Sequence, residues 1–199
     1  PLNVFDASPT TSLTNAELVH LMTILGLDPS VTYDAASARK LPYRRLALVT
    51  DQDTDGSHIL GLVLAFFHRF FPSLLAAAPD FLCRVATPVV RVRRRGRGAK
   101  TGAGAGAGAE DAVDFFSVPA YTAWAAAQPD AQWVAKYYKG LGTSTATEAK
   151  AYFRNLRRHT VTLRHDGEAS ASALATFFAK DRVEERRALL RAVDRTSCV

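Results

Sequence analysis

Cysteine is scarce. Cys83 and Cys198 are the only two in 199 residues, too few for a disulfide framework or a four-ligand zinc site. That scarcity fits a reducing, intracellular setting. Uninterrupted apolar runs of about 18 residues, the length that marks a membrane-spanning helix, do not occur. The longest candidate, Ile59 to Phe71, contains His68 and Arg69, so no membrane partner is expected. No signal peptide opens the chain. No repeat with a period of about 20–50 residues is visible. The chain begins with Pro1 rather than Met, from which we expect a piece of a longer protein.

The composition is that of an ordinary globular chain, 48% hydrophobic and 22% charged, which excludes wholesale disorder. The charge is basic, +6 overall with a pI near 9.6, and it is clustered. Six of the 25 basic residues lie between Arg91 and Lys100, and seven more between Lys136 and Arg164, where Glu148 is the only acid. Such blocks attract polyanions, phosphate backbones among them; a solvated basic face is the plainer alternative. Half of the 12 glycines fall in 96–108. That stretch lacks hydrophobic periodicity and reads as a flexible insertion, about 94–112.

The local patterns predict a chain of alternating strands and helices. Thr14-Asn-Ala-Glu17 reads as a capping box for a helix over 15–25, with Gly26 at its exit. Leu46–Thr50 reads as a buried parallel strand. Ser57 can cap an almost wholly apolar helix, 58–71, closed by Pro72. Strands are expected at 85–93, 115–118, 133–138 and 160–164, and a short helix at 119–127. Thr145-Ala-Thr-Glu148 is a second capping box. A charged helix follows Asp181. Strands alternating with helices indicate an α/β layer architecture with a mostly parallel sheet.

Two segments carry chemistry. Asp51, Asp53 and Asp55 alternate just after the first strand. In extended backbone such residues share one side, and their all-oxygen donors suit Mg²⁺, Mn²⁺ or Ca²⁺. The helix start that follows favours anions, so the pattern suggests a metal that holds a phosphate. An EF-hand is excluded, because its twelfth position is Leu62. A haloacid-dehalogenase phosphatase, with Asp51 attacking and Asp53 as acid/base, stays open, as does a Toprim site. The second segment, Lys139-Gly-Leu-Gly-Thr-Ser144, lies between a strand and a capped helix. Its glycines let backbone N–H groups approach an anion, although a G-x-G taken alone is more often a tight turn. It lacks the Walker A spacing.

Read together, these segments resemble the Toprim region of type IIA DNA topoisomerases, of the eukaryotic topoisomerase II type. The residues that carry the likeness are Thr50-Asp-Gln-Asp-Thr-Asp-Gly-Ser-His-Ile59, Phe71-Pro-Ser-Leu-Leu75, Thr87-Pro-Val-Val90, Phe116-Ser-Val-Pro119 and Lys136-Tyr-Tyr-Lys-Gly-Leu-Gly-Thr-Ser144. Glu148-Ala-Lys-Ala-Tyr-Phe153, Arg158-His159 and Leu2-Asn-Val4 follow the same register. The resemblance implies a Rossmann-like Toprim domain over 1–165, interrupted by the Gly/Ala-rich insertion. Residues 166–199 would then be a helical segment leading toward a winged-helix domain.

The resemblance also implies a function. In that family a tyrosine from each of two subunits attacks a DNA phosphate, a second duplex passes, and the break is resealed. A separate domain uses ATP. Asp51 and Asp53 match the family's Mg²⁺ ligands, which act with a Glu from an earlier strand, and Asp55 matches a supporting acid. Asn3 matches a DNA-contacting position, Lys180 falls near another, and Lys139 is a further candidate. The expected partners are double-stranded DNA and a second subunit, joined through regions outside these residues. The expected location is nuclear, with organellar DNA as the alternative.

The match has gaps. The nucleophilic tyrosine has no counterpart here, since Tyr137, Tyr138 and Tyr152 belong to other motifs. The family's Glu-Gly-Asp strand would lie before Pro1. Leu60 stands where relatives often carry Lys, and Phe5 where Arg is common. Alone, these residues are therefore expected neither to cleave DNA nor to hydrolyse ATP. The competing readings are a free-standing Toprim nuclease or primase-like protein, the phosphatase, and a non-catalytic DNA-binding scaffold.

Overall fold

The computed structural model describes residues 2–94, 112–128 and 133–193. Three helices come first: α1 (Pro9–Thr14), α2 (Ala16–Leu25) and α3 (Ala35–Ala38). The expected Thr14 capping box does not form. Thr14 is the last residue of α1, so its backbone is helical, and Asn15 caps α2 instead by accepting the Leu18 N–H at 3.2 Å. The exit is as expected: Gly26 turns left-handed, φ 67°, and closes α2.

Next comes β1 (Leu46–Leu48), then the long helix α4 (Thr54–Phe70), α5 (Pro72–Ala77) and β2 (Leu82–Val85). β2 pairs parallel to β1, Leu46 opposite Leu82, a βαβ unit of the kind the sequence suggested. Helix α4 starts earlier than expected. Asp53, not Ser57, is its cap, and Asp53 Oδ1 accepts the Gly56 N–H at 2.7 Å. Pro72 does not merely end α4; it is the first residue of α5, where a missing N–H costs nothing.

The expected strand over 85–93 is two strands in different sheets. β2 ends at Val85, and β3 (Val90–Arg94) begins after Ala86-Thr-Pro-Val89. β3 lies between β4 (Ala112–Phe115) and β5 (Trp133–Tyr137), antiparallel to both. Helix α6 (Val118–Ala126) links β4 to β5. The insertion assigned to 94–112 otherwise lies outside the described residues. Then come α7 (Ala146–Arg154), α8 (Leu156–His159), β6 (Thr160–Thr162), α9 (Glu168–Phe178), a 3₁₀ turn at Lys180–Arg182 and α10 (Val183–Ala192).

The fold is mixed α/β, and the expectation of a mostly parallel sheet is corrected. One sheet has the order β1-β2-β6, with β6 antiparallel to β2; the other is β4-β3-β5. The physical reason lies in what separates two like-directed strands. β4 and β5 do run the same way, as a strand–helix–strand alternation implies. An antiparallel β3 sits between them, so no parallel ladder forms.

Two apolar cores result. The larger packs α4 against α2, α5 and β2: Phe66, Phe67, Phe71, Leu74, Leu82 and Val4 are almost wholly buried. Each such aromatic or leucine contributes about 1.5–3 kcal/mol relative to exposure. The smaller joins Val90, Val92 and Phe115 to Tyr121, Trp124 and Trp133. A histidine pair pins α4 to the segment before α9, with His68 Nδ1 3.0 Å from His165 Nε2. Because His165 Nδ1 accepts the Gly167 N–H at 3.3 Å, its Nε2 carries the proton and donates to His68. Burial first, and His165 second, push the His68 pKa down. No helix among the described residues is long and apolar enough to cross a membrane.

Candidate functional site

Asp51 stands just past β1, and its carboxylate has a partner ninety residues away. Asp51 Oδ1 accepts the backbone N–H of Leu141 at 2.7 Å. Gly140 lies against the same carboxylate: a Cβ there would meet Asp51 Oδ2 at 2.8 Å and Cγ at 2.9 Å. The glycine segment was expected to be either a tight turn or a place where backbone N–H groups meet an anion, and it is both. The anion that it holds here is the side chain of Asp51. Leu141–Thr143 form a 3₁₀ turn, closed by Thr143 Oγ1 donating to the Gly140 carbonyl at 2.6 Å.

Asp53 and Asp55 do not continue the extended alternation. The chain enters α4 at Thr54, so Asp53 is the helix cap and Asp55 belongs to the first helical turn. Asp51, Asp53 and Asp55 are all exposed. Among the described residues no three His, Cys, Asp or Glu side chains converge in a metal-holding arrangement. The oxygen donors of Asp51 and Asp53 fit a hard cation in kind but supply only part of a coordination set. Next to Asp51 is a polar recess of about 70 Å³, lined by Thr50, Gln52, Ser57, Leu60, Arg84 and Phe116. Arg84 gives it a half-buried guanidinium suited to a phosphate oxygen. No local pattern in the sequence pointed to Arg84, which is simply one residue of β2.

The three residues matched to DNA contacts separate into two places. Asn3 and Lys180 come together: Asn3 Nδ2 donates to Asp6 Oδ2 at 3.0 Å and to the Phe178 carbonyl at 2.8 Å, and Lys180 Nζ lies 3.9 Å from the same Asp6 oxygen. Asn3 thereby ties the N-terminal segment to the end of α9. Lys139 is exposed and adjoins Gly140 at the Asp51 seat. His58, near the start of α4, stacks on Phe178, with ring centroids 5.9 Å apart.

Glu148 was missed as more than a cap. Its side chain is 7% exposed, in the midst of basic groups. Lys136 Nζ donates to Oε2 at 2.8 Å, Tyr138 Oη to Oε1 at 2.6 Å and the Thr145 N–H to Oε2 at 2.8 Å. Arg91 and Lys136 are direct partners across β3 and β5, a like-charge pairing that repels. Glu148 relieves it, because Arg91 Nη1 is 3.6 Å from Oε1. Arg91 also forms a two-bond pair with Asp114 at 2.5 and 2.7 Å, which raises its already high pKa. Burial pushes the Glu148 carboxyl up, but hydrogen bonds from Lys136, Tyr138 and Thr145 outweigh it and hold the pKa at about 2. Burial and the Glu148 bond push the Tyr138 phenol up. The sequence did hold one signal: Glu148 is the only acid in a long basic stretch.

The α/β chain thus brings the acidic segment after β1 onto a glycine turn, beside a recess lined by Arg84. Comparison with known proteins gives this arrangement a family. Residues 85–199 match the C-terminal associated domain of TOPRIM, and the chain belongs to that family. It is 37% identical over 188 residues to DNA topoisomerase 2-alpha of Rattus norvegicus, covering 94% of this chain and 11% of that relative. DNA topoisomerase 2-beta of Mus musculus is 36% identical over 188 residues, with the same shares. The chain thus spans about a tenth of the length of these relatives. A solved structure, the DNA-binding, cleavage and re-ligation domain of Plasmodium falciparum topoisomerase II, superposes with a TM-score of 0.84 at 34% identity. It covers 100% of this chain and 25% of that one.

Proposed function

We propose that these residues form part of the DNA cleavage and re-ligation region of an ATP-dependent type II DNA topoisomerase, an isomerase that passes one duplex through another. One observation carries the reading: the Asp51 motif and the glycine turn, ninety residues apart, meet at the 2.7 Å Asp51–Leu141 hydrogen bond. The likeness to topoisomerase 2 proteins along nearly the whole chain supports it.

Asp51 and Asp53 would hold Mg²⁺, with Mn²⁺ or Ca²⁺ as substitutes, and Asp55 would support them. Such an ion, when bound, stabilises negative charge developing on a sugar–phosphate oxygen. The chain's own residues prepare that place. The Leu141 N–H orients the Asp51 carboxylate, and the helix cap at Asp53 fixes the second. Arg84 and Lys139 offer positive charge to the DNA backbone near Asp51. Asn3 and Lys180 offer a second polar contact region for DNA. In this reading the attacking tyrosine and the ATP site belong to other parts of the polypeptide, which works as a homodimer on nuclear DNA. Residues 1–199 alone are inactive. The alternatives of a free-standing Toprim nuclease and a phosphatase have no specific observation in their favour.

Asp53→Asn tests the assignment, because asparagine caps helices as well as aspartate does. In the full-length polypeptide this variant should keep the fold and salt-sensitive DNA binding. Its Mg²⁺-dependent cleavage should fall by roughly 10²-fold or more. Cleavage equal to that of the parent protein across a Mg²⁺ titration refutes the assignment.

A further inference from the structure

One carboxylate reaches both ends of the turn that seats Asp51. At the upstream end, Lys136 and Tyr138 bind Glu148 at 2.8 and 2.6 Å. At the downstream end, the Thr145 N–H binds it at 2.8 Å and Thr145 Oγ1 at 3.1 Å. The two oxygens divide this work: Tyr138 and the arginines face Oε1, and Thr145 faces Oε2. Between these anchors lie Lys139 to Ser144, and at their crown the Leu141 N–H meets Asp51. The crown is open at Gly142, where a Cβ would have no neighbour within 4 Å.

We infer that Glu148 is the positioning residue of the Asp51 seat: by clamping both ends of the 139–144 segment, it sets where the Leu141 N–H meets the Asp51 carboxylate. The inference rests on the reading of Asp51 as a working carboxylate of the cleavage region. A residue that served only as the α7 cap would need the Thr145 N–H alone and could stay solvated. Glu148 is instead buried and surrounded by Lys136, Arg91, Arg93 and Tyr138. Its charge type is also required. A glutamine in its place turns an NH₂ toward either the Arg91 and Arg93 guanidiniums at the Oε1 position or the Thr145 N–H and Lys136 at the Oε2 position, donor against donor. Either way the clamp is weakened.

The test reads backbone amide exchange in the full-length polypeptide, with three variants. Glu148→Gln should speed exchange of the Leu141 amide by about tenfold, with the interior of α4 unchanged. Tyr138→Phe removes a single bond from the clamp, spares its charge, and should give a smaller rise at Leu141. Asp51→Asn should also speed Leu141 exchange, and combining it with Glu148→Gln should add little, because both act on one hydrogen bond. Faster exchange confined to α7, an unchanged Leu141 amide in Tyr138→Phe, or additive effects in the double variant would overturn the inference. If Glu148→Gln does not fold, the Tyr138→Phe result decides. The exchange outcome is read independently of cleavage, so a failure of the Glu148 clamp and a failure of the metal assignment at Asp53 are told apart.

Discussion

Replacing Gly140 with alanine isolates the contact on which the site depends. Gly140 has φ 166°, ordinary extended backbone, so the substitution brings no conformational penalty. What it brings is a methyl group 2.8 Å from Asp51 Oδ2, 2.9 Å from Cγ and 3.0 Å from Oδ1, where ordinary contact begins at 3.4 Å. The carboxylate must withdraw by about 0.6 Å, the difference between 3.4 and 2.8 Å, and the Leu141 hydrogen bond stretches or breaks. Asp51 is exposed, so water replaces much of what is lost. The net cost to stability is about 1 kcal/mol, a fall in Tm of about 2–4 °C for a unit of this size. Activity is far more sensitive to position, because misplacement approaching 1 Å at a reacting centre costs on the order of 10²-fold. The full-length Gly140→Ala enzyme should therefore melt almost normally and cleave DNA about 10–10²-fold more slowly at fixed Mg²⁺. Gly142→Ala is the control, since a Cβ there meets nothing within 4 Å. If the two alanines reduce cleavage equally, or if Gly140→Ala cleaves at the parent rate, the seating of Asp51 by this turn is not what matters.

Two further expectations concern stability. Gly56→Ala puts a methyl 2.0 Å from the Asp51 backbone carbonyl oxygen, and backbone does not yield as a side chain does. Alanine's gain in helix propensity, up to about 1 kcal/mol, is outweighed by overpacking of about 3 kcal/mol or more, so a thermal melt should show a large fall; a raised Tm refutes the clash. The Glu148 cluster makes the protein acid-sensitive. Its carboxyl sits at about 2 when folded against an ordinary 4.5, so the unfolded chain binds the proton more readily. The cluster's contribution, about 3 kcal/mol, is complete above pH 4.5 and is lost as pH falls toward 2. Urea unfolding between pH 7 and 3 should show the greater part of this loss, and Glu148→Gln should be less stable at pH 7 with a flatter acid limb. An equally steep limb in the variant assigns the loss to other carboxylates.

The elements legible in the sequence are those fixed by near neighbours. The α7 capping box depends on Thr145 and Glu148, three residues apart, and forms as read. The left-handed exit of α2 needs only Gly26. Apolar periodicity located α4 without its first turn, because that turn is set by Asp53 as cap and by Gly56 fitting against the Asp51 backbone. The sheet was misread for a non-local reason. The alternation of strands and helices suggested parallel neighbours, yet which strand lies between β4 and β5 depends on β3, placed by the packing of Val90 and Val92 into the second core.

The site shows the same limit in chemical form. A glycine turn next to a lysine advertises that it can hold an anion, but spacing cannot say which one. Here the anion that meets it is an aspartate of the same chain. The basic stretch from 136 to 164 likewise looked uniform, a polyanion surface interrupted by a single acid. In the folded chain that acid divides it. Lys136 is committed inward to Glu148, as Arg91 is to Asp114 and Glu148. Lys139, Lys150, Arg154, Arg157, Arg158 and Arg164 stay exposed. Within this stretch, these outward charges are the ones that would release counterions from a DNA backbone in the proposed function, whereas the inward ones set the shape of the turn that holds Asp51. The lone acid in a run of cations therefore marks the boundary between charge that binds and charge that builds.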